Sequence, residues 1–268
     1  MKPEPAVHDA AASLGTRALA VLPARLASTR LPRKVLLDET GLPLFVHAAR
    51  NAMQCPSLGH VLVATDDQEV LASAERHAVA AVLTDPNHVS GTDRVFEALG
   101  IEGREWDVVV NIQADEPEVD PMDIEDLIAA FRDPGVQIAT LCVPCAPDEV
   151  DSPNVVKVVR DAKRNAMYFS RASIPNGKHA RNGAQVAALR HLGVYAFRPH
   201  ALARCCALAP GHLESVENLE QLRWLEAGEE IRVLNARRAP RGIDTQVDYD
   251  AFVALYSSGQ KALPPSSR

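Results

Sequence analysis

Two acids and one basic bend carry the chemistry this chain can offer. Residues 23–34 read Pro-Ala-Arg-Leu-Ala-Ser-Thr-Arg-Leu-Pro-Arg-Lys, with four cations, two small hydroxyls and two prolines. The bend follows an apolar run, Ala18 to Leu22, that reads as a buried strand. At the carboxyl end of a strand its main-chain N–H groups, hydroxyls and cations can all face the oxygens of a polyanion. Gln113-Ala114-Asp115-Glu116-Pro117 ends another apolar strand, and Gly242-Ile243-Asp244-Thr245 stands near the end of the chain. A nucleoside triphosphate brings its own charge, and Mg²⁺ needs only one or two carboxylates beside phosphate and water. Asp115 is the best first carboxylate and Asp244 the natural second. Blander readings stand beside these: a solvated connector, a turn at Asp115 and a helix cap at Asp244.

Two common phosphate-binding patterns are absent. Neither Gly-x-x-x-x-Gly-Lys nor Gly-x-Gly-x-x-Gly occurs in the bend. A net charge of −7 argues against a nucleic-acid footprint, which needs a basic face, but leaves room for a small anion held by local cations. No apolar run approaches the roughly 20 residues of a membrane span. Residues 1–16 lack the features of an export signal and read as a polar leader, so a cytoplasmic location is the default. The five cysteines are irregularly spaced; Cys142 and Cys145 form C-x-x-C on a predicted strand, where they face opposite ways and read as structural thiols.

The elements that must position the acids and the bend alternate helix and strand. Helices are predicted over 43–55, 66–79, 90–99 and 122–132. Strands are predicted over 60–65, 81–84, 108–112 and 137–144. Such alternation implies an α/β, Rossmann-like, mostly parallel sheet covered by helices, with ligands beyond the carboxyl ends of its strands. The bend, Thr65, Ser90-Gly91-Thr92 and Asp115 all fall at that edge. After residue 150 the texture changes to strands over 155–159, 166–170 and 192–197, which suggests an inserted antiparallel lobe over 151–213. Helices over 199–208 and 214–227, a strand over 231–235 and a helix over 247–256 return to the core, and 257–268 reads as a loose tail. The nucleotide-binding half is then 17–150, and 214–256 brings back the second aspartate.

The order of motifs resembles the 3-deoxy-manno-octulosonate (Kdo) cytidylyltransferase family, whose loop usually reads P-A-R-x-x-S-T-R-L-P-G-K. The chain departs from that loop at Arg33, where Gly is usual. Gln113 to Pro117 is similar to the family's Q-G-D-E-P, with Ala114 in place of Gly, and Gly242 to Thr245 to its G-V/I-D-T. Ser90 to Arg94 resembles S-G-T-D/E-R, and 153–159 resembles P-N-x-V-K-V-V. Tyr168 to Pro175 resembles Y-F-S-R-x-x-I-P, Arg190 to Tyr195 resembles R-H-x-G-I/V-Y, and Leu219 to Arg223 matches L-E-Q-L-R. These matches run from about Leu19 to Val253. After Pro175 the family usually has an aromatic residue, and here the chain reads Asn176-Gly177-Lys178-His179-Ala180-Arg181.

What the resemblance implies is an enzyme that joins CTP to Kdo, giving CMP-Kdo and diphosphate for lipopolysaccharide synthesis. It implies Mg²⁺ at Asp115 and Asp244, and Arg25 and Lys34 as catalytic cations. Nucleotide contacts carry over to Pro23, Ala24, Arg25, Ser28, Lys34, Thr65, Ser90, Gly91, Thr92, Arg94 and Gln113. Sugar-acid contacts carry over to Arg171, His191, Tyr195, Glu220 and Gln221. A homodimer formed through the inserted lobe is implied as well, with no nucleic acid or membrane as partner. The readings left open are the same reaction on 8-amino-Kdo or another sugar acid such as neuraminic acid, and a non-catalytic nucleotide-binding protein.

Overall fold

The computed structural model describes residues 16–28, 30–177, 179 and 187–264. The expected leader, apart from Thr16, lies outside the described residues, as do the end of the tail and Lys178, Ala180 and Arg181 of the departure after Pro175. Strand β1 (Ala18–Ala24) runs into the basic bend and a short 3₁₀ turn, Lys34–Leu36. There follow α1 (Leu44–Ala52), β2 (Leu58–Thr65), α2 (Gln68–Arg76), β3 (Ala81–Leu83), α3 (Gly91–Glu102), β4 (Val108–Asn111), α4 (Pro121–Ala130) and β5 (Ile138–Pro144). The second half holds β6 (Lys157–Arg160), β7 (Ala166–Ser170), β8 (Leu189–Phe197), α5 (Pro199–Ala207), α6 (His212–Glu217), α7 (Gln221–Glu226), β9 (Ile231–Asn235) and α8 (Gln246–Ser257).

All nine strands among the described residues belong to one sheet, with a main order β3-β2-β1-β4-β8-β5-β9. Pairs β1–β2, β1–β4, β2–β3 and β5–β9 are parallel, while β8 runs antiparallel between β4 and β5. The central strands are apolar on both faces because helices cover both. One core layer includes Phe45, Val46, Ile124 and Leu127; the other includes Val95, Leu202, Leu222 and Trp224. Strand β6 pairs with the start of β8, and β7 extends the sheet beyond β6. The antiparallel strands after residue 150 are thus joined to the central sheet through β8. Among the described residues no helix is long and apolar enough to cross a membrane.

One expected helix is two. The stretch over 214–227 breaks after α6 because Asn218 caps it in the left-handed region at φ 52°, a conformation Asn tolerates better than most residues. The break lets Glu220 and Gln221 begin α7 at the ligand edge.

Caps fix the loops at that edge. Ser90 Oγ accepts from the Asp93 N–H and Asp93 accepts from the Ser90 N–H, a capping box that starts α3. Thr245 and Asp248 form the same box at α8, and Asp248 also accepts from the Asp244 N–H at 3.2 Å. A small apolar cluster of Leu31, Leu44, Ile243, Tyr249 and Phe252 clamps the bend onto the loop before α8. Ile243 is 1% exposed, so Ile243→Ala is expected to lower stability by about 2–4 kcal/mol in denaturant unfolding. A loss well under about 1 kcal/mol would show that this cluster does not hold the bend.

Candidate active site

The two aspartates meet on one ammonium. Lys34 Nζ contacts Asp115 Oδ2 directly and lies 3.1 Å from Asp244 Oδ1. It also donates to the Ile243 carbonyl at 3.2 Å. The main chain holds the same convergence: the Ile243 N–H donates to the Asp115 carbonyl at 3.0 Å. Arg30 adds a second cation on Asp244 Oδ1 at 2.9 Å. Burial works against the charge on Lys34, yet Asp115 and Asp244 outweigh it and raise its pKa above 10.5.

Two cavities flank this point and share Gln113. The first, about 340 Å³, is lined by Arg25, Ser28, Lys34, Gly91, Gln113 and Asp115. The second, about 450 Å³, is lined by Gln113, His191, Tyr195, Gln221, Asp244 and further residues taken up below. Pro23 lies in the wall of the first cavity, and Ala24 is buried behind it at the end of β1. A Cβ on Gly91 would stand 3.4 Å from Pro23 Cγ, an ordinary contact, so the start of α3 lies directly against the end of β1. Arg25 donates to the His88 carbonyl at 3.1 Å, and Ser28 Oγ accepts from the Leu31 N–H at 3.4 Å.

Six of the sequence candidates are held on protein groups outside the walls of these two cavities, and Ser90, in its box with Asp93, is the first. Thr65 is buried at the end of β2, where its carbonyl accepts from the Thr84 N–H and hydroxyl. Arg94 has no exposed surface and donates to Asp66 at 3.0 Å and Thr84 Oγ1 at 2.5 Å. Arg171 donates to the carbonyls of Glu217 and Pro153, each at 2.9 Å. Thr92 Oγ1 donates to Glu220 Oε2 at 2.8 Å, which ties the start of α3 to the start of α7. Burial, first of all, raises the Glu220 pKa.

Four polar side chains in the second cavity were outside the sequence candidates: Asn154, Asp248, Arg190 and Glu116. Arg190 pairs with Glu149, and Glu116 follows Asp115 directly. Their motifs were visible in the sequence, but nothing in the spacing said which neighbour of His191 or Asp115 would reach the cavity. His191 and Tyr195 do share one face of β8, with ring centroids 5.3 Å apart. Thr140 Oγ1 meets His191 Nε2 at 3.0 Å, and burial pushes the imidazole pKa down to about 3.

A family model described as cytidylyltransferase matches residues 19–231. The 3-deoxy-manno-octulosonate cytidylyltransferase of Acidobacterium capsulatum is 44% identical over 243 residues, covering 91% of this chain and 98% of its own length. The chain belongs to this family of cytidylyltransferases. The family member of Xanthobacter autotrophicus is 45% identical over 255 residues, with 91% of this chain and 97% of that one covered. A solved structure of CMP:2-keto-3-deoxy-manno-octonic acid synthetase complexed with CTP superposes with a TM-score of 0.85 at 37% identity, covering 91% of this chain and all of the other.

Cytidylyltransferase chemistry suggests a divalent metal, and the residues here fit one. Two carboxylates converge on a point already held by a cation, at the junction of the two cavities. Among the described residues no group of three or more His, Cys, Asp or Glu forms a closed metal cage. Two hard oxygen ligands with room for phosphate and water match the needs of Mg²⁺ better than those of a thiophilic ion.

Both departures from the cytidylyltransferase loop pattern have visible consequences. Ala114 is 2% exposed and its methyl packs into the core layer under the sheet edge. Arg33 adopts φ 58°, the left-handed conformation that Gly takes freely, and its guanidinium pairs with Glu69. The pair is about half exposed and stabilises little. Arg33→Gly is expected to leave stability unchanged or raise it by up to about 1 kcal/mol, and Arg33→Val to lower it by about 1–2 kcal/mol. Equal stabilities of the two variants in urea unfolding would contradict a strained backbone at this position.

His191 makes a pH prediction. Its folded pKa of about 3 lies below the ordinary 6.5, so the unfolded chain binds more protons between these values. Stability therefore falls as pH drops below 6.5, by about 1.4 kcal/mol per unit at most. Unfolding free energies measured from about pH 7 to about pH 5 should show a shallower fall in His191→Gln than in the unaltered chain. Parallel curves would show that the imidazole is not held neutral.

Proposed function

We propose that this chain transfers a cytidylyl group from CTP to Kdo, forming CMP-Kdo and diphosphate, the activated sugar needed for lipopolysaccharide assembly. The observation that carries this reading is the meeting of Asp115 and Asp244 on Lys34 between two cavities that share Gln113. The first cavity suits the triphosphate. Arg25, Lys34 and the hydroxyl of Ser28 face its oxygens, and Gly91 lies in the same wall beside Pro23. The second cavity suits the sugar acid, with His191, Tyr195 and Gln221 in its wall.

The reaction needs positioning and charge neutralisation rather than a covalent enzyme intermediate. The anomeric 2-hydroxyl of Kdo, seated beside Asp244, attacks the α-phosphorus in line. The new P–O bond forms as the bond to the β-phosphate oxygen breaks, the hydroxyl proton passes to water, and diphosphate leaves along the side held by Arg25 and Lys34. Asp115 and Asp244 are the residues that hold Mg²⁺, which when bound polarises phosphate and eases ionisation of the hydroxyl. Gln113, in the wall of both cavities, orients the two substrates toward each other. Tyr195, buried in the wall of the sugar side, offers an aromatic face to the sugar acid there.

The cytoplasm, where CTP is made, is the compartment this reading calls for, and five free thiols suit a reducing one. For a homodimer, the β6–β7 arm offers the surface. Strand β7 pairs only with β6, and Met167 on it is 65% exposed.

Asp115→Asn is expected to abolish product formation, by at least about a thousandfold, while thermal unfolding stays cooperative. Diphosphate release measured with CTP alone and with CTP plus Kdo separates enzyme from binder: release only with the sugar acid is expected. Diphosphate release without it, or near-normal turnover by Asp115→Asn, would overturn this mechanism. Offering 8-amino-Kdo and neuraminic acid in the same assay fixes the sugar.

A further inference from the structure

One polar atom in the wall of the second cavity has nothing to bond. Glu116 Oε2 and Tyr195 Oη are both shut away from solvent; the Tyr195 hydroxyl has the Thr140 side chain beside it, while Glu116 Oε2 has no hydrogen-bond partner. Tyr195 is 7% exposed as a residue. A buried polar atom without a partner carries the full cost of its lost hydration. A site keeps such atoms where a ligand supplies the missing partner. Both atoms belong to residues that line the same cavity.

The strand beneath them leaves space for that ligand. Between Thr140 and Leu141 of β5 the pairing with β8 jumps from Tyr195 to Leu192, so Gly193 lies in a bulge. A Cβ built on Gly193 would stand 3.8 Å from Glu116 Oε1 and 4.0 Å from Gln113 Cγ. The Glu116 carboxyl therefore overhangs a bare stretch of backbone two residues before Tyr195.

Charge sets what can bind there. Glu116 is buried beside Asp115, and the charges of Arg190, Asp244 and Lys34 reach it as well, so its own carboxyl oxygen faces acids and cations together. A neutral hydroxyl, which donates, is accepted. Arg190 is the cation in the same wall, held by Glu149. A molecule carrying one carboxylate and several hydroxyls is thereby given a direction, with its carboxylate toward Arg190 and a hydroxyl toward Glu116.

We propose that Glu116 is a specificity-determining residue of the sugar-acid cavity, its free carboxyl oxygen accepting a hydrogen bond from one hydroxyl of the sugar acid above Gly193. This inference rests on the reading of the second cavity as the sugar-acid site. It adds a determinant that separates polyhydroxylated acids from acids lacking that hydroxyl.

The test compares Kdo with its monodeoxy analogues, using the unaltered chain, Glu116→Leu, Glu116→Gln and Gly193→Ala. One deoxy analogue should be a poorer substrate for the unaltered chain by at least about tenfold in kcat/KM. Glu116→Leu should raise the KM for Kdo by at least about tenfold and erase the discrimination against that analogue, with the KM for CTP within about twofold. Glu116→Gln, whose amide oxygen still accepts, should recover part of the loss. Thermal unfolding of Glu116→Leu should occur no lower than in the unaltered chain, because an unpartnered buried oxygen has gone. Gly193→Ala makes only ordinary contacts, so it should fold and still raise the KM for Kdo alone. It supplies the answer if Glu116→Leu does not fold. An unchanged KM for Kdo in the variants that fold, or discrimination that survives Glu116→Leu, overturns the proposal. If the unaltered chain turns over no sugar acid at all, it is the functional reading that fails.

Discussion

Two ionised carboxylates brought into a small space repel each other, and a cation between them removes that cost. Asp115 ends one strand and Asp244 precedes the last helix, yet both reach Lys34. The fold holds them there by several means at once. A main-chain bond runs from Ile243 to Asp115, the apolar cluster around Ile243 grips Leu31 of the bend, and the cap at Thr245 fixes the backbone of Asp244. Removing any one leaves the others, so the convergence does not depend on the ion pair alone. Lys34 is 13% exposed in its side chain, while Asp244 remains 44% exposed and open to the cavity. The acids can therefore exchange one cation for another without the sheet moving.

Helix caps at this edge have two uses. The box at Ser90 satisfies the first turn of α3 and also fixes Gly91 against Pro23. The box at Thr245 satisfies α8 and also fixes Asp244. In each case the residue proposed for ligand contact sits next to a cap residue, at a point where the backbone is leaving a loop for a helix. The first turn of a helix has unpaired N–H groups whatever the function. Placing the site there joins a structural need to a chemical one. This is also why a reading of Asp244 as part of a helix start and a reading of it as a ligand do not compete.

Much of this was legible along the chain. The alternation of apolar strands and capped helices gave the parallel half, and the ends of those strands gave the ligand edge. The bend and the two aspartate motifs gave the residues that meet at Lys34, the candidate site. What the chain could not state was which side chains would be consumed by the fold itself. Arg94, Arg171 and Glu220 look like ligand groups in sequence, but each has a closer protein partner: Asp66, the Glu217 carbonyl and Thr92. Sheet pairing hid Arg190 as well. Simple alternation puts it on the face opposite His191, and only the antiparallel course of β8 brings the start of that strand to the carboxyl ends of β4 and β5, where both residues reach the cavity. An antiparallel strand at the centre of an otherwise parallel sheet is a long-range fact with no local signature.

The same accounting explains how a chain of net charge −7 holds a polyanion. At physiological salt, charges more than about 8 Å away are largely screened, so the acidic surplus elsewhere matters little to the bend. Within the bend, however, the cations are not bare. Lys34 and Arg30 hold Asp244, Arg33 holds Glu69, and Arg25 donates to the His88 carbonyl. A triphosphate entering this cavity meets cations that already have partners, so binding is an exchange of partners rather than the filling of a positive cleft. Such an exchange favours a ligand whose charges match several of these cations together. On the proposed reading, a triphosphate takes the place of Asp244 on Lys34 and Arg30, which line the cavity, while the Arg33–Glu69 pair stands outside its wall.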